Sequence, residues 1–324
     1  MRRISALAAL LISLLFAGAA TAGTPIRFVT DWKAQAEHGG FYEAVAEGLY
    51  AKAGLDVTII EGGPGVNVPQ MLAGGAADFG IGSNGFIPLN MVRQDIPLRA
   101  VMAVFQKDPQ VLITHPRADV KSLAQMKGKP IMIGDGAVFS FWPWLKAKYG
   151  YSDTQIRKYT FNLAPFLVDP SAIQEGYPTS EPYTIEREGH FKPQVFLLAD
   201  NGYPGYANMV LVPQSWIEKN PKAVQAFVDA TRQGWRDYLF GNPAAANALI
   251  RKDNPEMTAD VIAQAIAKMK SYGIAVSGDV KSPSQIGLMT DARWKTFFDT
   301  MASEGLYAKT LDYRKAYDTQ FVEK

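Results

Sequence analysis

The hydrophobic residues of the chain fall into short runs that alternate with stretches of helical spacing. The short runs predict strands, and the longer stretches, which end at glycine or proline, predict helices. In the first third of the chain we predict strands at 26–32, 56–60, 79–82 and 98–105 and helices at 41–53, 68–73 and 86–93. Strands that alternate with helices favour a parallel sheet covered by helices.

A polar segment, Gln106-Lys107-Asp108-Pro109, interrupts this alternation, which then restarts. The second set of predicted elements consists of strands at 111–114, 130–134, 159–161 and 195–199 and helices at 123–126 and 139–149. A second break at 201–205 precedes a strand at 206–212 that we expect to rejoin the first unit. From residue 215 onward helical spacing dominates, with helices predicted at 221–238, 243–250, 258–272 and 291–304.

The two breaks predict an α/β protein of two lobes. We assign 23–106 and 204–324 to lobe 1 and 107–203 to lobe 2, with Gln106, Lys107 and Tyr203 as hinge residues. Hinged lobes close around a ligand held between them, and ligands of open α/β sheets bind beyond the carboxyl ends of the strands. The loops at those strand ends are therefore the candidate site.

The first 22 residues predict a cleaved secretory signal peptide. Arg2 and Arg3 precede an apolar run at 4–20 and the small-x-small sequence Ala20-Thr21-Ala22, an order of features typical of such signals. A membrane anchor is the alternative, but the run is shorter than the roughly 20 residues that a span needs. The chain has no cysteine that could carry a lipid anchor. We expect the mature protein in the periplasm.

The composition is that of an ordinary globular protein. Hydrophobic residues make up 48% of the chain and charged residues 20%, and the net charge is +2 without a long run of one sign. This balance argues against a nucleic-acid partner. Because no disulfide is available, the fold depends on its core alone, which a chain of this size can supply. We expect a monomer.

The loop after the first predicted strand combines acids, a histidine and aromatic residues beside the flexible pair Gly39-Gly40. We expect ligand contacts there, and the alternative is that Trp32 is a core residue and His38 a satisfied polar one. The candidate binding residues of this loop are Asp31, Trp32, Glu37, His38 and Tyr42.

The segment 80–85 matches G-x-G-x-x-G between a strand and a helix. A dinucleotide site would need an acid at the end of the next strand, and 100–105 offers none. We therefore favour a tight turn that presents Ser83 and Asn84 to a ligand.

Two further candidate loops lie in lobe 2. Asp135, Phe139 and Trp142 occur in an aromatic-rich segment in which Phe139 and Trp142 share a helix face, and aromatic rings suit a flat ligand. A packed amphipathic helix is the alternative. The segment 177–183 has two prolines and predicts a rigid loop with Tyr177, Glu181 and Tyr183, in which Glu181 is either a ligand acceptor or a solvent-facing acid.

The sequence contains no recognisable catalytic or metal-binding motif. It has no G-x-S-x-G elbow, no H-E-x-x-H and no P-loop, and the spacing of His38, His115 and His190 does not suit a metal site. We therefore predict a binding protein, with no catalytic residue, metal or cofactor.

Several segments resemble the substrate-binding proteins of ABC importers, in the branch that handles thiamine-pyrimidine precursors, sulfonates, nitrate and taurine. The resemblance covers nearly all of the mature chain, and it rests on Asp31-Trp32 with His38-Gly39-Gly40-Phe41-Tyr42 and on the segments 46–50, 53–57, 71–80, 123–129 and 176–182. It implies a type II periplasmic-binding fold, with two α/β lobes on a two-segment hinge and a ligand cleft between them. It also implies delivery of a small-molecule solute to a membrane permease.

The charges of the candidate loops help to choose among the solutes of that family. The loops carry Asp31, Glu37, Asp135 and Glu181 but only one nearby cation, Lys33, whereas an anion needs donors and positive charge. We therefore favour a flat heterocycle such as a thiamine-pyrimidine precursor over a sulfonate, nitrate or taurine-like anion. A pyrimidine-precursor synthase is the third possibility, but the chain lacks the cysteine-rich segment of those enzymes and carries an export signal.

Overall fold

A computed structural model of the protein describes residues 23–63 and 65–323. The predicted signal peptide at 1–22 lies outside the described residues. Within the described ranges the chain forms two five-stranded sheets. The strands are β1 (Thr24–Val29), β2 (Leu55–Ile60), β3 (Phe79–Asn84), β4 (Leu98–Phe105), β5 (Val111–Thr114), β6 (Ile131–Ile133), β7 (Ile156–Lys158), β8 (Ile173–Gly176), β9 (Gln194–Leu197) and β10 (Ala207–Pro213).

Both sheets are mixed, which corrects the expectation of purely parallel strands. The first sheet has the order β2-β1-β3-β10-β4, and β10 runs antiparallel to β3 and β4. The second has the order β7-β6-β8-β5-β9, and β5 runs antiparallel to β8 and β9. In each sheet the reversed strand is the one that follows a crossover, β5 in the second sheet and β10 in the first. The chain enters each of these strands from the other lobe rather than through a covering helix.

Helices cover the sheets and were largely predictable from their spacing. Along α9, the buried side chains recur every three or four residues and Pro221 occupies the first turn, where proline is well tolerated. The helices are α1 (Gly39–Ala46), α2 (Leu49–Lys52), α3 (Val68–Ala73), α4 (Phe86–Arg93), α5 (Phe141–Tyr149), α6 (Ala164–Val168), α7 (Glu181–Gly189), α8 (Gln214–Lys219), α9 (Pro221–Phe240), α10 (Ala244–Asp253), α11 (Ala259–Ser271) and α12 (Asp291–Ser303).

Three of the elements predicted from the sequence need correction. The predicted helix at 41–53 is two helices, α1 and α2, separated by Gly48 in a left-handed conformation. The predicted strand at 159–161 is wrong, because the strand is β7 and Phe161 has a positive φ of 66°. The segment 177–183 is not a loop throughout, because Glu181 begins α7.

Two chain segments, at 106–110 and 198–206, connect the sheets and contain the predicted hinge residues. Gln106 donates from its side-chain amide to the Leu288 carbonyl at 2.8 Å, and Lys107 pairs with Asp200 at 2.8 Å. Tyr203 is almost completely buried, and its ring lies 5.2 Å from that of Trp144. These residues are therefore well anchored, and the lobe boundaries at 106/107 and 203/204 stay a prediction.

A candidate ligand-binding site between the two lobes

The loop that follows β1 is tied to the loop that follows β2. The Thr30 hydroxyl donates to the Trp32 carbonyl at 2.6 Å and accepts from the Gly62 amide at 2.9 Å. The Glu61 carboxylate accepts from the Ala34 amide at 2.8 Å. A Cβ atom at Gly62 would lie 2.2 Å from the Thr30 carbonyl oxygen, so only glycine permits this approach. The loop thus holds Asp31 and Trp32 at the carboxyl end of the first sheet.

Asp31 forms hydrogen bonds with two other predicted site residues, His38 and Ser83. Its Oδ1 lies 3.1 Å from Nε2 of His38, which can donate to it, and its Oδ2 accepts from the Ser83 hydroxyl at 2.5 Å. Among the described residues, Nδ1 of the buried His38 has no hydrogen-bond partner. Asp31, His38 and Ser83 therefore meet, although they come from two different strand ends.

Glu37 lies in the interface between the lobes. Its carboxylate accepts from the Thr179 hydroxyl of lobe 2, and its carbonyl accepts from the Asn208 side chain at 2.6 Å. Burial raises the pKa of Glu37, although the bond from Thr179 opposes the shift. The carboxyl group is thus held in a position that favours its protonated form.

Lobe 2 contributes two more acids to this interface. Oε1 of Glu175 accepts from the Gly134 amide at 2.6 Å, and burial raises the pKa of Glu175 to about 8. Glu181 accepts from the Tyr177 amide at 2.8 Å and from the Tyr159 hydroxyl at 3.2 Å, and burial raises its pKa to about 7. Glu181 is therefore a buried acid rather than a solvent-facing one.

A fifth acid, Asp108, lies on the first of the two segments that connect the sheets, at 106–110. Burial raises the pKa of Asp108 to about 7, while its bond from the Gln110 amide opposes the shift. The pKa of the Tyr177 hydroxyl is raised by burial first and then by the negative charges of Asp108, Asp31, Glu37 and Glu175. These carboxyl groups therefore lie close enough to Tyr177 to act on it electrostatically, and with Glu181 we call them the acidic cluster.

In the part of the chain that the structure describes, no lysine or arginine forms an ion pair with the acidic cluster. Among the described residues, the only ion pair that involves one of its five acids is the contact of Asp31 with His38. Lys33, the nearby cation of the sequence analysis, is 3.5 Å from the exposed Glu256 instead. The interface is therefore rich in hydrogen-bond acceptors and poor in cationic donors.

Aromatic rings lie beside the acidic cluster. The ring centroid of Trp32 in lobe 1 is 3.8 Å from that of Phe161 in lobe 2, and Phe161 in turn stacks on Tyr159 at 5.0 Å. Tyr159 links the two groups, because its hydroxyl donates to Glu181. Phe161 and Tyr159 were missed as site residues because a short aromatic run is equally typical of a strand.

Glu175 and Asp108 were also missed by the sequence analysis. Glu175 is in β8, a strand that was not predicted because Gln174 and Glu175 interrupt its hydrophobic pattern. Asp108 belongs to the polar break that was interpreted only as a crossover. Two polar residues in a central strand were the available signal, since such residues are uncommon there unless they bind something.

Some predicted site residues lie elsewhere. Trp142 is fully buried in lobe 2 and donates from its indole nitrogen to Asp153 at 2.9 Å, so it presents no face to a ligand. Phe139 does not share its helix face, because α5 begins only at Phe141 and Phe139 is 72% exposed in the preceding turn. Asp135 is exposed and pairs with Lys158 at 3.3 Å.

Three other predicted residues bind protein groups. Asn84 ends β3, and its side-chain oxygen accepts from the Phe86 amide at 3.1 Å, which forms an Asx turn into α4. The Tyr42 hydroxyl donates to Asp253 at 2.9 Å. The Tyr183 hydroxyl donates to Asp260 of the other lobe at 2.8 Å, at the exposed rim.

The segment 80–85 is glycine-rich for reasons of packing. A Cβ atom at Gly80 would lie 2.6 Å from Val68, one at Gly82 2.9 Å from Leu211, and one at Gly85 2.8 Å from Phe297. Each glycine therefore makes room for a neighbouring side chain of the core. This packing role agrees with the prediction that 80–85 is not a dinucleotide site.

A cavity of about 540 Å³ lies at the hinge rather than between the acids. Its walls come from both crossovers and from the start of α12, including Lys107, Pro204 and Arg293. Arg293 donates to the Gln106 carbonyl and lies 4.5 Å from the centre of the Tyr206 ring. Its charged group is therefore already engaged by the protein.

Comparison with known proteins identifies the family. A model of the NMT1/THI5-like family matches residues 35–246, which include Glu37 and His38 at the end of the loop after β1 and all of the second sheet. This chain belongs to the NMT1/THI5-like family. The expected resemblance is thereby confirmed.

Two characterised relatives of this NMT1/THI5-like chain are named as binding proteins. The riboflavin-binding protein RibY of Chloroflexus aurantiacus is 25% identical over 294 residues, which cover 87% of this chain and 81% of RibY. The formylaminopyrimidine-binding protein of Halalkalibacterium halodurans is 25% identical over 234 residues, which cover 69% of each chain. The prediction of a small-molecule-binding protein rather than an enzyme agrees with these names.

The fold is that of periplasmic binding proteins, as predicted. The periplasmic aliphatic sulphonate binding protein SsuA from Escherichia coli superposes with a TM-score of 0.64 at 17% identity, over 93% of this chain and 94% of SsuA. At this identity the likeness concerns the fold alone. Within the described residues, no helix has the length and apolar character needed to cross a bilayer, and no group of three or more histidine and acidic residues is arranged to hold a metal ion.

Proposed function

We propose that this NMT1/THI5-like protein is the periplasmic solute-binding protein of an ABC importer. In this proposal it acts as a monomer, captures a flat nitrogen heterocycle such as a thiamine-pyrimidine precursor between its lobes, and delivers it to a membrane permease. The observation that carries the proposal is the acidic cluster, which offers acceptors from both lobes and, among the described residues, has His38 as its only ion-pair partner.

The acidic cluster suits a ligand that donates hydrogen bonds. An aminopyrimidine has an exocyclic amino group and ring nitrogens that can take up a proton, so it presents N–H groups to carboxylates. Hydrogen bonds to ionised groups are about twice as strong as neutral ones. Each carboxyl group that ionises on binding would regain a partner in place of the water that it lost.

The aromatic residues suit a flat ring. Trp32 and Phe161 contact each other from opposite lobes with their ring planes tilted by 34°, and their contact is half-exposed rather than buried in the core. Opening of the lobes would separate the two rings, and a planar solute could then lie against either face. Offset stacking of aromatic rings contributes about 0.5–1.5 kcal/mol beyond the buried area.

The two named relatives point in the same direction. Formylaminopyrimidine and riboflavin are both flat, nitrogen-rich heterocycles, and the proteins that bind them share a quarter of their aligned residues with this chain. A sulfonate or nitrate would instead need positive charge, and among the described residues no lysine or arginine pairs with these acids to supply it. The solved sulfonate-binding structure supports the fold and gives no support for that ligand class.

Isothermal titration calorimetry of the mature protein tests the proposal. Formylaminopyrimidine, riboflavin, taurine and nitrate would be titrated separately into the protein at neutral pH, after mass spectrometry of any solute that co-purifies. We expect saturable binding of one molecule of a heterocycle per chain and none of the anions. Binding of taurine or nitrate alone would contradict the heterocycle, and conversion of the ligand would contradict a binding protein.

A further inference from the structure

One residue of lobe 2 is held by two residues of lobe 1. The Thr179 hydroxyl donates to the Glu37 carboxylate, and the Thr179 carbonyl accepts from the side-chain amide of Gln264 on α11. Thr179 is buried, as is Glu37. Both contacts join protein groups across the interface, so they can form whether or not a solute is bound.

Glu37 and Thr179 are each held by further contacts within their own lobes. The Glu37 carbonyl is held by the Asn208 side chain at 2.6 Å, on β10. The turn that carries Thr179 is closed by the Ser180 amide, which donates to the Tyr177 carbonyl at 3.0 Å, and by the bond from the Tyr177 amide to Glu181. Thr179 therefore approaches lobe 1 from a fixed turn and needs little ordering when the lobes meet.

Other contacts between the lobes lie at the exposed rim. Asp260 accepts from Tyr183 at 2.8 Å and lies 3.4 Å from Arg187, and the side chains of that ion pair are 45% and 54% exposed. Exposed pairs of this kind contribute little to a closed state, because water competes for both partners. Loss of one partner from a buried hydrogen bond is more costly, because the remaining group stays unpaired.

We propose that Thr179, with Glu37 and Gln264, is the latch that holds the lobes closed and sets how fast the solute leaves. The proposal rests on the proposed function as a solute-binding protein, and it adds a residue that acts through lobe closure instead of through the solute. Opening must break both contacts of Thr179 at once, and this leaves the Glu37 carboxyl group to be solvated again.

Closure itself can be measured without any solute. Because the chain has no cysteine, cysteines in place of the exposed residues Lys192 and Lys252 would be the only sites for a donor and an acceptor dye. Single-molecule energy transfer then gives the ratio of closed to open molecules. We compare Thr179→Val, which keeps the shape but removes the hydroxyl, with Thr179→Ser, which keeps the hydroxyl, and with Arg187→Gln at the rim.

We expect Thr179→Val to lower the ratio of closed to open molecules about tenfold, the factor that corresponds to one lost buried hydrogen bond. Thr179→Ser should stay within about twofold of the unmodified protein, and so should Arg187→Gln. Equal effects of Thr179→Val and Arg187→Gln would overturn the proposal, as would the absence of any closed molecules in the unmodified protein.

Release kinetics complete the test. With formylaminopyrimidine as the probe, stopped-flow measurements should show a dissociation rate about tenfold faster for Thr179→Val and an association rate changed by less than about twofold. An effect confined to the association rate would overturn the latch. If the probe does not bind at all while the energy-transfer result holds, the choice of solute fails and the latch stands.

Discussion

At the scale of single residues, the interface combines acids that would normally be kept apart. Glu175 and Glu181 accept bonds from backbone amides, yet burial and mutual repulsion still raise their pKa values to about 8 and 7. Buried charges are usually paired, and within the described ranges only Asp31 of these five acids has an ion-pair partner, His38. Such an arrangement costs stability, and perturbed acids of this kind cluster at functional sites.

The substitution Glu175→Gln distinguishes the destabilising effect of this acid from its role in ligand binding. The glutamine oxygen can still accept from the Gly134 amide, but the side chain no longer ionises. We therefore expect the melting temperature at pH 8.5 to rise and the affinity for formylaminopyrimidine to fall about tenfold or more, since a charged acceptor is lost. Differential scanning calorimetry and titration calorimetry measure the two effects.

The exposed Glu186 on α7 is the matched control. Glu186→Gln should change neither the melting temperature at pH 8.5 nor the affinity. If Glu175→Gln lowered the melting temperature and left the affinity intact, Glu175 would be a structural acid.

At the scale of elements, the glycine pair after His38 has a different role from the one the sequence suggested. Gly39 and Gly40 were expected to be flexible, but both lie in α1 with helical geometry. A Cβ atom at Gly39 would lie 2.0 Å from the Tyr238 ring, and one at Gly40 would lie 2.1 Å from Trp235. The pair lets α1 pack tightly against α9, and that packing fixes Glu37 and His38.

Gly40→Ala should therefore destabilise the protein although alanine favours helices. The added methyl group overlaps Trp235, and overpacking of this kind costs about 1–3 kcal/mol, more than the roughly 1 kcal/mol that alanine gains in helix propensity. Urea unfolding measures the change. Gly136→Ala is the control, because no atom lies within 4 Å of a Cβ there, and it should leave the unfolding midpoint unchanged.

At the scale of the whole molecule, the sequence predicted the two lobes but not the contacts between them. The polar breaks around Asp108 and Gly202 interrupt a clear hydrophobic pattern, so the crossovers could be predicted. The bond between Thr179 and Glu37 joins residues 142 positions apart, and no local pattern encodes such a pairing. The acids of lobe 2 were only partly predictable, because Glu175 interrupts the hydrophobic pattern of its own strand and Glu181 begins a helix between two prolines.

The pH dependence of stability follows from the same acids. Glu175, Glu181, Asp108 and Glu43 have pKa values raised to about 7 or 8 in the folded protein, whereas unfolded acids titrate near 4. Between these values the folded state binds more protons than the unfolded state. The contribution of these groups to stability is therefore fully present below about pH 4, and it is lost as the pH rises through their folded pKa values of about 7 to 8.

We expect the melting temperature of the ligand-free protein to fall steadily from pH 5 to pH 8.5. Each proton that the folded state holds in excess changes the free energy of unfolding by about 1.4 kcal/mol per pH unit. Scanning calorimetry across this range measures the slope, and Glu175→Gln should make it shallower from pH 5 to about pH 8, where the folded protein holds the proton of Glu175 and the unfolded chain does not. A melting temperature that rises over this range would mean that the acids are ionised and solvated, with the lobes open. Open lobes in the ligand-free protein would also contradict the latch at Thr179.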